Sequence, residues 1–237
     1  MQDKVLAVMQ PYLFPYVGYF SLMNSATDFV FYDDVGFIKQ GWINRNRVLV
    51  NGQPHLFSFP LVNGSSNVLI KDVVMSENQK FKAKLLKTLE QSYSKARFFE
   101  RGMEYVMSVL SSEERDLSSI AIKSVNLASE IIGIKARKFC SSSDFAESKG
   151  ADRSERLLFI CKSLHCETYV NPVNGCQLYS KDFFSERGVK LKFLRMKTID
   201  YAQLKTGTFV PNLSIIDLLM NLSEDEILAA VRSYELL

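Results

Sequence analysis

The stretch Val5–Val50, VLAVMQPYLFPYVGYFSLMNSATDFVFYDDVGFIKQGWINRNRVLV, decides the fold. Val5–Met9 is short, apolar and valine-containing, the pattern of a buried strand. It runs into Gln10-Pro11-Tyr12-Leu13-Phe14-Pro15-Tyr16. The two prolines there exclude a helix and leave an extended loop. Gly18 opens a helical pattern through about Asn24, and Phe29–Tyr32 reads as a second strand ending in Asp33-Asp34. After Gly36 come Lys39, Trp42, Asn44, Arg45, Asn46 and Arg47, then a third strand, Val48–Val50. Strand, loop, helix and strand make a βαβ-like start. Open α/β sheets bind ligands beyond the carboxyl ends of their strands. Gln10–Tyr19 and Asp33-Asp34 both stand at such ends. The aromatic, proline-bearing loop would form a rigid wall and the charged clusters would orient a ligand, the layout of a small-molecule pocket.

Outward from this stretch, Asn51-Gly52 signals a hairpin with a return strand over His55–Leu61. Val68–Val74 reads as a further strand. The character changes at Ser76, which looks like an N-cap with Gln79 three residues on. Phe81, Leu85, Leu86 and Leu89 then recur at helical spacing. Lys80, Lys82, Lys84 and Lys87 give that helix a basic face, whose simplest reading is solvation. Helices are also expected over Phe98–Leu110 and over Leu117–Ile132, the latter ended by Gly133. Ile134–Cys140 reads as a strand, Ser141–Asp144 as a loop, and a helix opens at Asp152 and runs to about Leu164. Strands follow over Glu167–Val170 and Val189–Leu194, with a helical turn at Lys181–Glu186. Ser214–Asn221 and Ser223–Leu236 read as helices, the second with a capping box from Ser223 and Glu226. The expected fold is α/β: a Rossmann-like sheet of the class I synthetase and nucleotidyltransferase kind with a mostly helical insertion. We expect one domain over 1–237, strand-rich over 1–75, with the insertion over 76–133 and α/β structure plus C-terminal helices over 134–237.

Composition bounds the rest. A chain of 237 residues, 47% hydrophobic and 23% charged, suffices for a sizeable core. A net charge of +3 is too mild to imply nucleic acid, and suits an anionic small molecule. Met1-Gln2-Asp3-Lys4 leads into a short strand rather than a secretory signal, and no apolar run approaches the roughly 20 residues of a membrane span. The expectation is a cytoplasmic chain with reduced thiols and no membrane insertion. Cys161, His165 and Cys166 lie close together, but a zinc site needs more ligands at defined spacing, so no metal is expected. The sequence leaves the cofactor open. His55 and His165 belong to no nucleophile–histidine arrangement, so no hydrolase signature appears.

Several blocks make the chain resemble the WbqC-like protein family. They are Gln10-Pro11-Tyr12, Phe14-Pro15-Tyr16, Gly18-Tyr19-Phe20, Phe31–Val35, Lys39, Gly41–Arg47 and, far downstream, Phe209–Leu219. A weaker match surrounds Tyr169–Tyr179. The resemblance implies a bacterial cytoplasmic protein linked with surface-polysaccharide (O-antigen) or other glycan assembly, and implies no settled reaction. The family pattern is more glycine-rich near Asn171-Pro172 and Asn174-Gly175, so a backbone phosphate cradle is less secure in this chain. Gly18-Tyr19-Phe20 also resembles the place where class I synthetase-type nucleotidyltransferases carry a His-x-x-His-like motif. Here Tyr16 and Tyr19 stand instead, and tyrosine donates a hydrogen bond without carrying positive charge.

Candidate residues follow. Asp34 is expected as a general base, with Tyr19 and Lys39 as further catalytic groups. Asp33 is expected in the substrate-binding set. Being adjacent, Asp33 and Asp34 are expected to point to opposite faces. The one facing the pocket could instead hold Mg²⁺ through phosphate or anchor Arg45, with a salt bridge to a nearby cation as the structural alternative. Lys39 and Arg45 would hold phosphate, Arg45 bidentately, beside Arg47. Trp42 would stack on a base or sugar. Gln10, Tyr12, Tyr16, Gly18, Asn44, Asn46, Asn171, Gly175 and Tyr179 complete the expected binding set. Asn212 would reach a ligand at a helix start, and Ser214 would cap that helix or bind.

The expected function is a transferase of glycan biosynthesis acting on a nucleotide-activated sugar, by acyl or aminoacyl transfer. The rivals are a nucleotidyltransferase using ATP or CTP with magnesium, and a non-catalytic scaffold of a glycan-assembly pathway, with protein partners.

Overall fold

The computed structural model describes residues 3–237; Met1 and Gln2, where the reading of the N-terminus begins, lie outside them. The apolar run Val5–Met9 (β1) is central. It pairs in parallel with Asp28–Phe31 (β2) on one side and Thr168–Pro172 (β6) on the other. Arg137–Cys140 (β5) joins β2 in parallel. Lys190–Met196 (β7) joins β6 in parallel, and Tyr234–Leu236 (β8) closes that edge antiparallel. The order β5-β2-β1-β6-β7-β8 is a Rossmann-like doubly wound arrangement in which the direction of winding reverses between β1 and β6.

Strand alternation sends side chains to two cores. Ala7, Phe29, Phe31 and Val170 pack on one face against Val17–Asn24 (α1), Leu117–Ile132 (α4), Ile215–Asn221 (α8) and Glu224–Val231 (α9). Leu6, Val8, Val30 and Tyr169 face the other way, against Arg153–Ser163 (α6) and Lys181–Ser185 (α7). Gln79–Tyr93 (α2) and Phe99–Leu110 (α3), with α4, fill the helical stretch expected over 76–133, and their Leu89, Val106 and Val125 join the first core.

Arg45–Val50 (β3) and Gln53–Ser58 (β4) form a separate antiparallel hairpin. Asn51 and Gly52 turn it with φ of 51° and 75°, the left-handed pair that a two-residue hairpin turn requires. The strand expected over Val68–Val74 is instead a 3₁₀ turn at Ile70–Asp72 flanked by isolated bridges. Ile70 and Val73 are both buried, a three-residue rather than a two-residue period. Asn78, not Ser76, caps α2, accepting from the Phe81 amide at 2.9 Å. Ser141–Asp144 forms one helical turn (α5) rather than a loop. The last expected helix stops at Val231, and Tyr234–Leu236 pairs with β7 instead. The Ser223–Glu226 capping box is present. No helix among the described residues is long and apolar enough to cross a membrane.

Candidate functional site

The loop after β1 is held by residues distant in sequence. Phe14 adopts φ 52°, the left-handed region that bulky residues avoid. Its carbonyl accepts from Asn46 Nδ2 (2.7 Å) and Ser214 Oγ (2.8 Å), while its amide donates to Ser124 Oγ (3.0 Å). The Leu13 amide donates to the Ile43 carbonyl and the Ile215 amide to the Pro15 carbonyl. Three buried bonds therefore hold one strained residue, and the loop, the hairpin and the start of α8 form one unit. Ser214 also caps α8 through the Ile216 amide.

This unit borders a cavity of about 950 Å³ at the carboxyl ends of β1 and β6, where the winding reverses. Such a crevice is where doubly wound sheets bind ligands. Gln10, Tyr12, Tyr16, Gly18, Tyr19, Trp42, Asn46, Asn171, Gly175, Tyr179 and Asn212, all expected from sequence, line it. Two glycines make room there. A Cβ on Gly18 would collide with the Tyr16 ring, and one on Gly175 would collide with Asn171 Oδ1. Asn171 Nδ2 in turn donates to the Tyr169 hydroxyl at 2.6 Å. The Tyr19 hydroxyl donates to the Gln10 carbonyl (2.9 Å), so its proton is engaged by the wall itself. Burial raises the phenols of Tyr12, Tyr16, Tyr19 and Tyr179 above their ordinary range, so all four stay neutral.

Asp33, Asp34, Lys39, Asn44, Arg45 and Ser214 do not line this cavity. The two carboxylates do not point apart. Both lie beyond the end of β2, where strand alternation no longer applies, and both accept from Ser141 Oγ. Asp33 also accepts from the Ser142 amide (2.9 Å) and hydroxyl. Asp34 takes Arg156 as its ion-pair partner at 2.7 Å, with side chains 2% and 5% exposed. Burial pushes the Asp34 carboxyl up, but the Arg156 and Ser141 hydrogen bonds outweigh it and hold it below the ordinary range. A carboxylate so placed anchors Arg156, whose guanidinium lies 4.7 Å from the Tyr32 ring centre. Arg45 donates to the carbonyls of Gly41 and Gln40, Asn44 donates to the Phe59 carbonyl, and Lys39 is exposed.

The cations that do face the cavity are Arg47, Arg153 and Arg156. Asp34 neutralises Arg156, whereas Arg47 and Arg153 form no ion pair among the described residues. Arg47 Nε is buried without a hydrogen-bond partner. Among the described residues no aspartate, glutamate, lysine, histidine or cysteine lines the cavity, and no cluster of three or more metal-ligating side chains occurs. Tyr32, Arg153 and Arg156 were not among the expected site residues. The i, i+3 spacing of Arg153 and Arg156 at the start of a helix put two guanidiniums on one face and was the available signal.

The comparisons with known proteins agree on one point. The model of the WbqC-like protein family matches residues 10–229. The uncharacterized protein Rv1507c of Mycobacterium tuberculosis is 27% identical over 94% of this chain and 95% of its own length. No solved structure matches the chain. With the family model covering nearly the whole chain, the protein belongs to the WbqC-like protein family.

Proposed function

We propose that this protein is a transferase of bacterial surface-polysaccharide (O-antigen) or related glycan assembly, and that it holds a nucleotide-activated sugar in the switch-point cavity. The observation that carries this reading is the lining: free guanidinium groups, tyrosines and amides, with no carboxylate among the described residues. Such a surface attracts phosphate, stacks on rings and hydrogen-bonds hydroxyl groups. Arg47 holds the phosphate, because it lines the cavity and has no ion-pair partner among the described residues. Trp42 and the tyrosines wall the base and sugar.

The step this lining suits is acyl or aminoacyl transfer to an amine on the bound sugar. The new N–C bond forms as the bond from acyl carbon to leaving group breaks, and the amine's proton departs with the leaving group. A carboxylate base in the cavity is then unnecessary, and Asp34 acts as a positioning residue through Arg156. The neutral phenols of Tyr16 and Tyr179 can donate to oxygen as it gains charge. Magnesium-dependent nucleotidyl transfer fits less well, since magnesium favours carboxylate ligands.

A thermal-shift panel tests the reading with nucleotide sugars, nucleotides plus magnesium, acyl-coenzyme A thioesters and buffer. A ligand at 100 times its Kd adds about 2.7 kcal/mol, a shift of about 5–10 °C for a chain of this size. The expected result is a shift with nucleotide sugars that Arg47→Ala abolishes. A shift only with nucleotide and magnesium would transfer the case to nucleotidyl transfer. No shift with any ligand would favour a scaffold.

A further inference from the structure

Two free guanidiniums reach the cavity, and they come from opposite sides of the sheet. Arg47 lies on β3, whose following Val48 and Leu49 are buried in the core that contains Ala7 and Phe31. Arg153 opens α6, whose Leu157 and Leu158 are buried in the other core, with Leu6 and Val8. Their surroundings differ too. Arg47 sits 5.6 Å from the Trp42 ring centre, and its carbonyl accepts from the Ser214 amide beside the β1–α1 loop. Arg153 shares the cavity lining instead with Tyr32 and Tyr179. The third guanidinium, Arg156, has its charge met by Asp34.

A guanidinium facing a cavity without a carboxylate partner can pair bidentately with an anion on the ligand. The first βα turn is where a doubly wound sheet places phosphate, and Arg47 adjoins that turn. With the diphosphate at Arg47, an anion on the part of the ligand that reaches across the crevice toward β6 would meet Arg153.

Resting on the reading of the site as one for nucleotide sugars, we infer that the sugar itself is acidic. Arg47 grips the diphosphate, and Arg153 grips a carboxylate carried by the sugar, as in a nucleotide-linked uronic acid. Tyr32 and Tyr179 flank that carboxylate, and Asn171 meets the ring hydroxyls.

Calorimetric titration of matched pairs tests this: uridine diphosphate glucuronic acid against uridine diphosphate glucose, and guanosine diphosphate mannuronic acid against guanosine diphosphate mannose. The expected result is that at least one acidic ligand binds about 10–100-fold tighter than its neutral partner, the range for a charge-assisted bond. Arg153→Ala should remove the preference within each pair, and Arg153→Lys should retain part of it. Arg47→Ala should abolish binding of both ligands. Arg153 is exposed at a helix start, and unchanged melting of the free variants certifies their fold. Equal binding of both members of each pair, or a preference that survives Arg153→Ala, overturns the acidic-sugar inference and leaves the nucleotide-sugar reading standing. Binding of none of the four overturns both.

Discussion

Replacing Asp34 by Ala strands a buried cation, and the structure gives the size of the effect. Arg156 Nη2 lies 2.7 Å from Asp34 Oδ2, and the two side chains are 5% and 2% exposed. Removing one partner of such a pair costs about 3–5 kcal/mol, because the remaining charge stays buried without compensation. At about 2–4 °C per kcal/mol for a chain of this length, the midpoint should fall by roughly 6–20 °C. Urea titration of wild type, Asp34→Ala and the double variant Asp34→Leu with Arg156→Met separates the contributions. The double variant should recover most of the loss, since apolar groups of similar volume replace a buried pair at little cost. The pH dependence has a definite sign. The Asp34 carboxyl is held below its ordinary range, so its contribution is present above about pH 4 and is lost as pH falls through the folded value. The stability gap between wild type and Asp34→Ala should therefore narrow in acid. If Asp34→Ala stays within about 1 kcal/mol of wild type, the carboxylate is not locked. Unchanged stability of Asp34→Asn with lost turnover would return it to the role of general base.

Gly18→Ala should change stability little and weaken ligand binding, because the added Cβ drives the Tyr16 ring from the wall while alanine favours the helix; unchanged affinity by calorimetry would remove Tyr16 from the site. Gly175→Ala should displace Asn171 in the same way, with the same readout. Tyr93→Phe should cost about 2–4 kcal/mol in urea unfolding, since the hydroxyl both donates to Asp217 (2.7 Å) and accepts from the Leu49 amide (2.8 Å) in the core. Asn46→Ala should cost about 1–3 kcal/mol by removing one donor from the Phe14 carbonyl, with the Ser214 hydroxyl still in place.

What was legible in the sequence was what local pattern determines. The β1–α1–β2 start followed from an apolar run, a proline loop and a second apolar run. The hairpin followed from Asn51-Gly52, whose left-handed conformations few other residues adopt. The cavity wall was legible for the same reason, since Gln10 to Tyr19 had to stand at a strand end. Long-range partnerships were not. Asn46 and Ser214 both bond the Phe14 carbonyl, across 32 and 200 residues, and sequence reading treated each as a ligand or cap. Asp34 finds its cation 122 residues away at Arg156, not at the nearer Arg45. Strand β8 was missed because three residues carry too little periodicity, and only its pairing with β7 makes it a strand.

The protein's single tryptophan stands on the rim of the proposed site, 44% exposed and 5.6 Å from the Arg47 guanidinium. Its fluorescence under selective excitation therefore reports on this cavity alone. Titrating a nucleotide sugar into wild type should change the Trp42 emission saturably, with the same Kd as calorimetry, and Arg47→Ala should abolish both signals. Calorimetric binding that leaves Trp42 emission untouched would place the ligand elsewhere and contradict the account.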